Sequence, residues 1–409
     1  MAATSLDKNK IVFALLEGVN QSAVDLLAAH GYRNVVRHDG ALSRAELLDV
    51  VSEAHFVGIR SRTRLDESVL REARRLIAVG CFCIGTNQVD LEVARRQGIP
   101  VFNAPYANTR SVAELVLGEL ILLMRGVLEK NMGAHRGEWQ KSARNSFEVR
   151  GKTLGIIGYG HIGTQVGILA ENLGMNVLYH DIESKLSLGN ARKADSLEHL
   201  LGCSDVVTLH VPDTPLTRQM ISTEQLRRMK PGAVLINASR GTVVDIDALI
   251  PCLRSGQIRG AAVDVFPTEP KTLGDEFMSP LREFDNVLLT PHVGGSTVEA
   301  QEQIGREVAE KLVLYSDNGS TASSVNFPQV ALPEYAGKHR LLHIHRNVPG
   351  VMARINGVFS DNGVNIASQY LQTDSEIGYV VIDLDQDYSA AAQAMLREIP
   401  GTLHCRVLH

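Results

Sequence analysis

The sequence predicts an α/β protein: two doubly wound parallel-sheet domains, one inserted in the other, followed by a smaller ferredoxin-like βαββαβ unit. Three observations predict it. Short β-branched runs alternate with helix-length amphipathic segments from residue 11 to about 289, the pattern of strands buried on both faces. Two long helical stretches flank the central part, as the crossovers of an inserted domain would. After a polar stretch at 317–338 the order of elements changes. A chain of 409 residues also exceeds one ordinary core.

Taken in order, the predicted strands are 11–16, 55–59, 76–80, 153–158, 177–181, 205–211, 233–237, 259–264 and 286–289. Residues 108–127 read as one long helix before the polar stretch 135–145, and 297–315 as a second. These place a nucleotide domain at 108–298 and return the chain to the first domain, which comprises 1–107 and 299–337. The segment 317–337 carries Gly319, Pro328, Pro333 and Gly337 and reads as a linker. Beyond it, strands at 341–345, 365–371, 378–384 and 402–407 and helices at 350–360 and 388–397 give βαββαβ over 338–409.

The formal net charge is −5, which argues against general nucleic-acid affinity. No apolar run is long enough to span a bilayer, and the polar start lacks the apolar core of a secretion signal. The five cysteines are scattered; Cys81 and Cys83 are too close for a Cys-x-x-Cys pair and read as packing. No metal site is expected, and a reduced, cytoplasmic protein is the simplest reading.

Gly158-Tyr159-Gly160-His161-Ile162-Gly163 follows a predicted strand and opens a helix. In such a Gly-x-Gly-x-x-Gly turn the first glycine makes the bend and the second admits a pyrophosphate. The third allows close helix packing. Asp181 ends the next strand, 23 positions after Gly158, where a carboxylate accepts ribose hydroxyls and repels a 2′-phosphate. NAD is therefore expected over NADP.

Three further segments follow predicted strands: Asn237-Ala238-Ser239-Arg240-Gly241, Asp264-Val265-Phe266-Pro267-Thr268-Glu269-Pro270, and Thr290-Pro291-His292-Val293-Gly294-Gly295. His292 suits removal of a hydroxyl proton, Glu269 suits orienting that ring, and Arg240 suits gripping a carboxylate. Singly, each has an ordinary structural reading. Together these segments resemble the D-2-hydroxyacid dehydrogenase family, which implies those same three roles. The resemblance also implies that Asp264 touches the nicotinamide end or buttresses Arg240, and that Ala238, Ser239, Gly294 and Gly295 line the cofactor.

Arg60 and Arg62, at i and i+2 after a strand, suggest a two-pronged phosphate clamp, with a solvated edge as the alternative. They match phosphate-binding positions in the branch of the family that oxidises 3-phosphoglycerate. That branch makes the first step of serine synthesis, and some members reduce 2-oxoglutarate. Ile84, Gly85 and Asn108 would hold the substrate carboxylate. The branch forms homotetramers, and the stretch around Trp139 and Lys141 meets a partner there, although a plain surface loop is the other reading of Lys141.

The βαββαβ unit resembles an ACT domain. The resemblance implies L-serine as effector at His345, Asn347 and Asn365, lowering turnover by restraining domain closure; a strand histidine and two turn-forming asparagines are the other reading. Two departures are visible: Val348 replaces an arginine, and Ala336-Gly337 replaces a Gly-Gly hinge.

Overall fold

In the computed structural model, which describes residues 7–270, 274–333, 339–386 and 388–408, five short strands form the first sheet. They are β1 (Phe13–Leu15), β2 (Val35–Arg37), β3 (Phe56–Ile59), β4 (Ala78–Cys81) and β5 (Val101–Asn103), all parallel in the order β2-β1-β3-β4-β5. Every residue of β1, β3, β4 and β5 is buried, and for β1, β3 and β4 this is why the sequence reads as apolar runs. A side chain on Gly80 would meet Val308 Cγ1 at 2.7 Å, so the helix Val298–Asn318 lies directly on β4.

The polar segment that reads as a linker behaves differently over 319–333. Val325 N–H donates to Val101 O at 2.8 Å, and Asn326 Oδ1 accepts from Val101 N–H at 2.8 Å. Thr321 is fully buried and donates to Pro328 O at 2.7 Å. Its polar side chains stitch a strap along β5 instead of solvating a tether. Ala336 and Gly337 lie outside the described residues.

Seven parallel strands form the second sheet: β6 (Thr153–Ile157), β7 (Asn176–His180), β8 (Arg192–Lys193), β9 (Val206–Leu209), β10 (Ala233–Asn237), β11 (Ile258–Val263) and β12 (Val287–Leu289). Their order is β12-β11-β10-β9-β6-β7-β8. The order reverses between β6 and β9, the switch point beside which open α/β sheets bind ligands. The helix expected at 108–127 is Thr109–Met124; after a left-handed Gly126 (φ 57°) a second helix that was not expected, Val127–His135, follows.

The last four strands are antiparallel: β13 (Arg340–Arg346), β14 (Ile366–Thr373), β15 (Ile377–Leu384) and β16 (Thr402–Leu408), ordered β14-β15-β13-β16. Alternate residues serve two cores. Leu341, Val380 and Ile382 pack with Ile355, Phe359 and Leu396 of the helices Val351–Ser360 and Ser389–Arg397. Leu342, Ile344, Tyr379 and Val381 join the core of Phe13, Phe56 and Val308. Two compact units result: Met1–Ala107 with Gln301–His409, and Asn108–Ala300.

Candidate active site

The glycine turn is built by close approach. At Gly158 (φ 89°) a Cβ would meet His210 O at 2.3 Å, and at Gly163 it would meet Gly158 O at 2.1 Å. Over Gly160 nothing lies within 4 Å. That open backbone sits where the helix His161–Asn172 begins, an amide end suited to a pyrophosphate. Asp181 is anchored beside it: Oδ2 accepts from Tyr159 N–H and Oδ1 from Glu183 N–H, both at 2.8 Å. His161 is exposed, and Ile162 half-buried. The residues present thus fit a dinucleotide.

Three loops at the carboxyl ends of β10, β11 and β12 then converge. Buried Asn237 holds the first: its Oδ1 accepts from Ser239 N–H at 3.1 Å and Oγ–H at 2.8 Å, and its Nδ2 donates to Arg240 O at 3.0 Å. The Ser239 hydroxyl is therefore engaged within the loop. Arg240 Nη1 donates to Ser239 O at 2.7 Å. A Cβ on Gly241 would meet Phe266 C at 2.0 Å, so this loop lies backbone to backbone against the one bearing Glu269.

His292 Nδ1 lies 3.1 and 3.0 Å from the two Glu269 oxygens, and Phe266 N–H steadies that carboxylate at 3.2 Å. The hydrogen bond to Glu269 is the largest cause holding His292 above the usual histidine value, against burial and Arg240, with the Glu269 and Asp264 charges adding. For Glu269, burial pushes upward, but the His292 hydrogen bond and charge, the Phe266 amide and Arg240 bring the carboxyl net below its ordinary value. This network assigns the proton to Nδ1 and leaves Nε2 as the basic nitrogen. The ring is about half exposed and sits on a residue with φ 55°, a strained left-handed backbone.

Asp264 explains how that backbone is held. It is 2% exposed, and its Oδ1 accepts from Thr290 Oγ1 at 2.6 Å and Val293 N–H at 2.8 Å, while Oδ2 accepts from Gly294 N–H at 2.9 Å. The sequence leaves Asp264 to touch the nicotinamide end or to buttress Arg240; of these, the second is corrected, since its carboxylate braces the His292 loop. Asn108 packs on Gly295, where a Cβ would meet its Nδ2 at 2.3 Å, and its buried Oδ1 has no partner among the described residues.

In the other unit, Arg60 and Arg62 stand in a bend after β3, not on an extended strand, so the same-face argument for i and i+2 does not apply. A buried carboxylate shapes the bend. Glu17 accepts from Arg60 N–H at 3.2 Å, Arg62 N–H at 2.9 Å and Thr63 N–H at 2.8 Å. Ile84 O is held by Asn103 Nδ2 at 2.6 Å and Gly85 O by Gln88 Nε2 at 3.1 Å. The Ile84 and Gly85 amides make no hydrogen bond among the described residues.

The profile "D-isomer specific 2-hydroxyacid dehydrogenase, NAD binding domain" matches residues 117–294. D-3-phosphoglycerate dehydrogenase of Escherichia coli K12 is 60% identical, covering all of both chains. The chain belongs to the D-isomer-specific 2-hydroxyacid dehydrogenases. The enzyme of the same name from Haemophilus influenzae is 59% identical over 99% of each chain. Among solved structures, D-lactate dehydrogenase from Aquifex aeolicus, complexed with NAD and lactic acid, is 26% identical. It covers 74% of this chain and 95% of its own, with a TM-score of 0.66. A protein from Thermus thermophilus is 34% identical over 77% of this chain and all of its own, at a TM-score of 0.69.

This dehydrogenase also carries an ACT domain: the profile "AHAS small subunit-like ACT domain" matches 341–404. There His345 is 1% exposed in β13, its Nδ1 bonded to Arg346 O at 2.9 Å and its buried Nε2 without a partner. Asn347 Nδ2 donates to Asp374 O at 2.6 Å, and Asn365 Nδ2 to Asp385 Oδ2 at 2.5 Å. His345 pairs with Gly378 and Ile366 with Leu384, so the length of β15, about 20 Å at ~3.4 Å per residue, separates His345 from Asn365. One chain does not gather all three. Lys141 and Trp139 are exposed.

Residues missed by sequence reasoning are Glu17, Asn103, Gln88 and Asn237. Glu17-Gly18 directly after a strand was the one available signal; the partners it serves lie more than 40 positions away.

Proposed function

We propose that this chain oxidises 3-phospho-D-glycerate to 3-phosphohydroxypyruvate with NAD, the first step of L-serine synthesis. The observation that carries the reading is the His292 ring, anchored through Nδ1 by Glu269 and set in the field of Arg240.

His292 Nε2 takes the proton of the substrate's secondary alcohol, and Glu269 stabilises the imidazolium that forms. Arg240 and the Ile84 and Gly85 amides hold the carboxylate, with the Asn108 Nδ2 amide donating to it. Arg60 and Arg62 take the phosphate. Glycine at 158, 160 and 163, Asp181, Ala238, Gly294 and Gly295 form the dinucleotide's bed. NAD, held by this bed, would supply the hydride acceptor for the carbon that bears the substrate's hydroxyl. The same machinery run in reverse suits 2-oxoglutarate reduction. Dehydrogenation of another D-2-hydroxy acid is the second reading; the arginine bend, the ACT domain and the full-length likeness to D-3-phosphoglycerate dehydrogenases disfavour it.

L-serine acts at the ACT domain, where a two-fold pair of chains brings one copy's Asn365 to the other's His345 and Asn347. The separation of these residues along one sheet supports this arrangement, and a homotetramer accommodates it. The exposed Val348 weakens that site relative to an arginine. No helix among the described residues is long and apolar enough to cross a membrane, and all five cysteines are free; we assign the enzyme to the cytoplasm.

NADH formation is measured with 3-phosphoglycerate and with glycerate, each with and without L-serine. The expected result is turnover of the phosphorylated acid only, depressed by serine. Equal turnover of glycerate refutes the substrate assignment, and indifference to serine refutes the effector.

A further inference from the structure

A cavity of about 540 Å³ opens within the first unit, away from the arginine bend at 60–63. His55 and residues 74–77, which lead into β3 and β4, line it with Lys8, residues 315–317 at the end of the long helix, and residues 404–408 of β16, with Arg397 beside them.

Its charges are one-sided: Lys8, Arg74, Arg75, Arg397 and Arg406 against Asp317. Two of the five cations are already paired, Lys8 with Asp317 at 2.8 Å and Arg75 with Glu53 at 2.6 Å. Arg74, Arg397 and Arg406 make no ion pair among the described residues. Arg406 lies 5.4 Å over the Tyr315 ring, and its Nη1 is buried with no hydrogen-bond partner. A buried guanidinium N–H without an acceptor is costly, and the remedy that chemistry offers is an oxyanion.

The two histidines in the wall are already turned to donate or to stay neutral. His55 Nδ1 accepts from Val12 N–H at 3.1 Å, which leaves the proton on Nε2. His404 Nε2 donates to Gln97 O at 2.7 Å. Burial holds both below the usual histidine value, and the Arg406 charge adds to it.

We propose that this cavity is an anion site distinct from the substrate clamp. It takes a small multivalent oxyanion, a phosphate ester or a polycarboxylate. Guanidinium forks match both classes, and the volume suits a metabolite, not a polymer. Because the cations come from the β1–β5 unit on one wall and from β16 and its helix on the other, the ligand clamps the ACT sheet to the substrate-side sheet. It is thereby a second regulatory input, independent of serine.

The test uses the full-length Arg60→Ala/Arg62→Ala protein, in which the substrate clamp no longer competes. Inorganic phosphate and citrate are titrated calorimetrically. One site per chain is expected for at least one probe, and the stronger of the two identifies the ligand class. Adding Arg74→Ala and Arg397→Ala, both on the cavity wall, should weaken binding by tenfold or more. Arg406→Met, which keeps an unbranched side chain beside Tyr315 without the guanidinium, should do the same, with circular dichroism checking the fold of each variant. No heat from either probe overturns the proposal, as does binding that ignores all three substitutions. If instead the starting protein keeps its ordinary KM for phosphoglycerate, the substrate reading fails while this one stands.

Discussion

His292 and His345 are the same side chain placed in opposite surroundings. His292 sits half-exposed on a strained loop with a carboxylate against Nδ1, and its proton affinity is raised. His345 lies in the middle of a sheet, packed on Gly378, and burial lowers its affinity. Its neighbour His343 is pushed down to about 4 for the same reason, with the His345 charge adding. A histidine becomes a base when a carboxylate anchors one nitrogen and solvent or substrate reaches the other. Buried in a sheet, it becomes a neutral hydrogen-bonding group. Residue type alone does not separate the two.

The sharpest way to break this contrast is His292→Ala, for which turnover is expected to fall at least ~100-fold, since positioned acid–base groups contribute that or more; steady-state NADH formation checks it. Glu269→Gln should cut turnover by about tenfold or more and also move the pH profile. Oxidation needs neutral His292, so its rate falls as pH drops through the raised value. Without the carboxylate that value falls, and the acid limb shifts to lower pH. An unmoved limb would mean Glu269 does not set the ring's affinity.

Glu17→Gln tests the other unit. It weakens charge-assisted bonds to three amides, worth roughly 1.5–3 kcal/mol for such a bond, so KM for phosphoglycerate should rise on the order of tenfold while kcat changes less. The smallest effect is expected for His345→Ala: a several-fold rise in the serine concentration giving half-inhibition, read from the same assay.

The parallel strands were legible because burial on both faces leaves plain apolar runs, as in β3 and β10. The strands that escaped are short or at edges: β2 is mostly exposed, β8 has two residues, and β5 has three. The catalytic trio was legible because its three segments each follow a strand. What holds those segments was not. Asp264 and Glu17 act on residues 26 to 46 positions away, and no local pattern announces such a partner. Composition misled at 319–333, where serine and threonine hydroxyls serve buried backbone and not water.

The chain leaves the first unit at Ala107 and re-enters it at Gln301, while the core of that unit mixes Phe13, Phe56 and Phe102 with Val308, Leu312 and Tyr379. A ribosome therefore delivers one part of this core long before the other. At ~5–20 residues per second the wait is on the order of ten seconds or more. Through that interval the β1–β5 strands lack the helix that covers Gly80 and present an apolar face to solvent. The inserted unit, contiguous in sequence, is free to fold first. Chaperone dependence during translation should accordingly concentrate in the amino-terminal hundred or so residues.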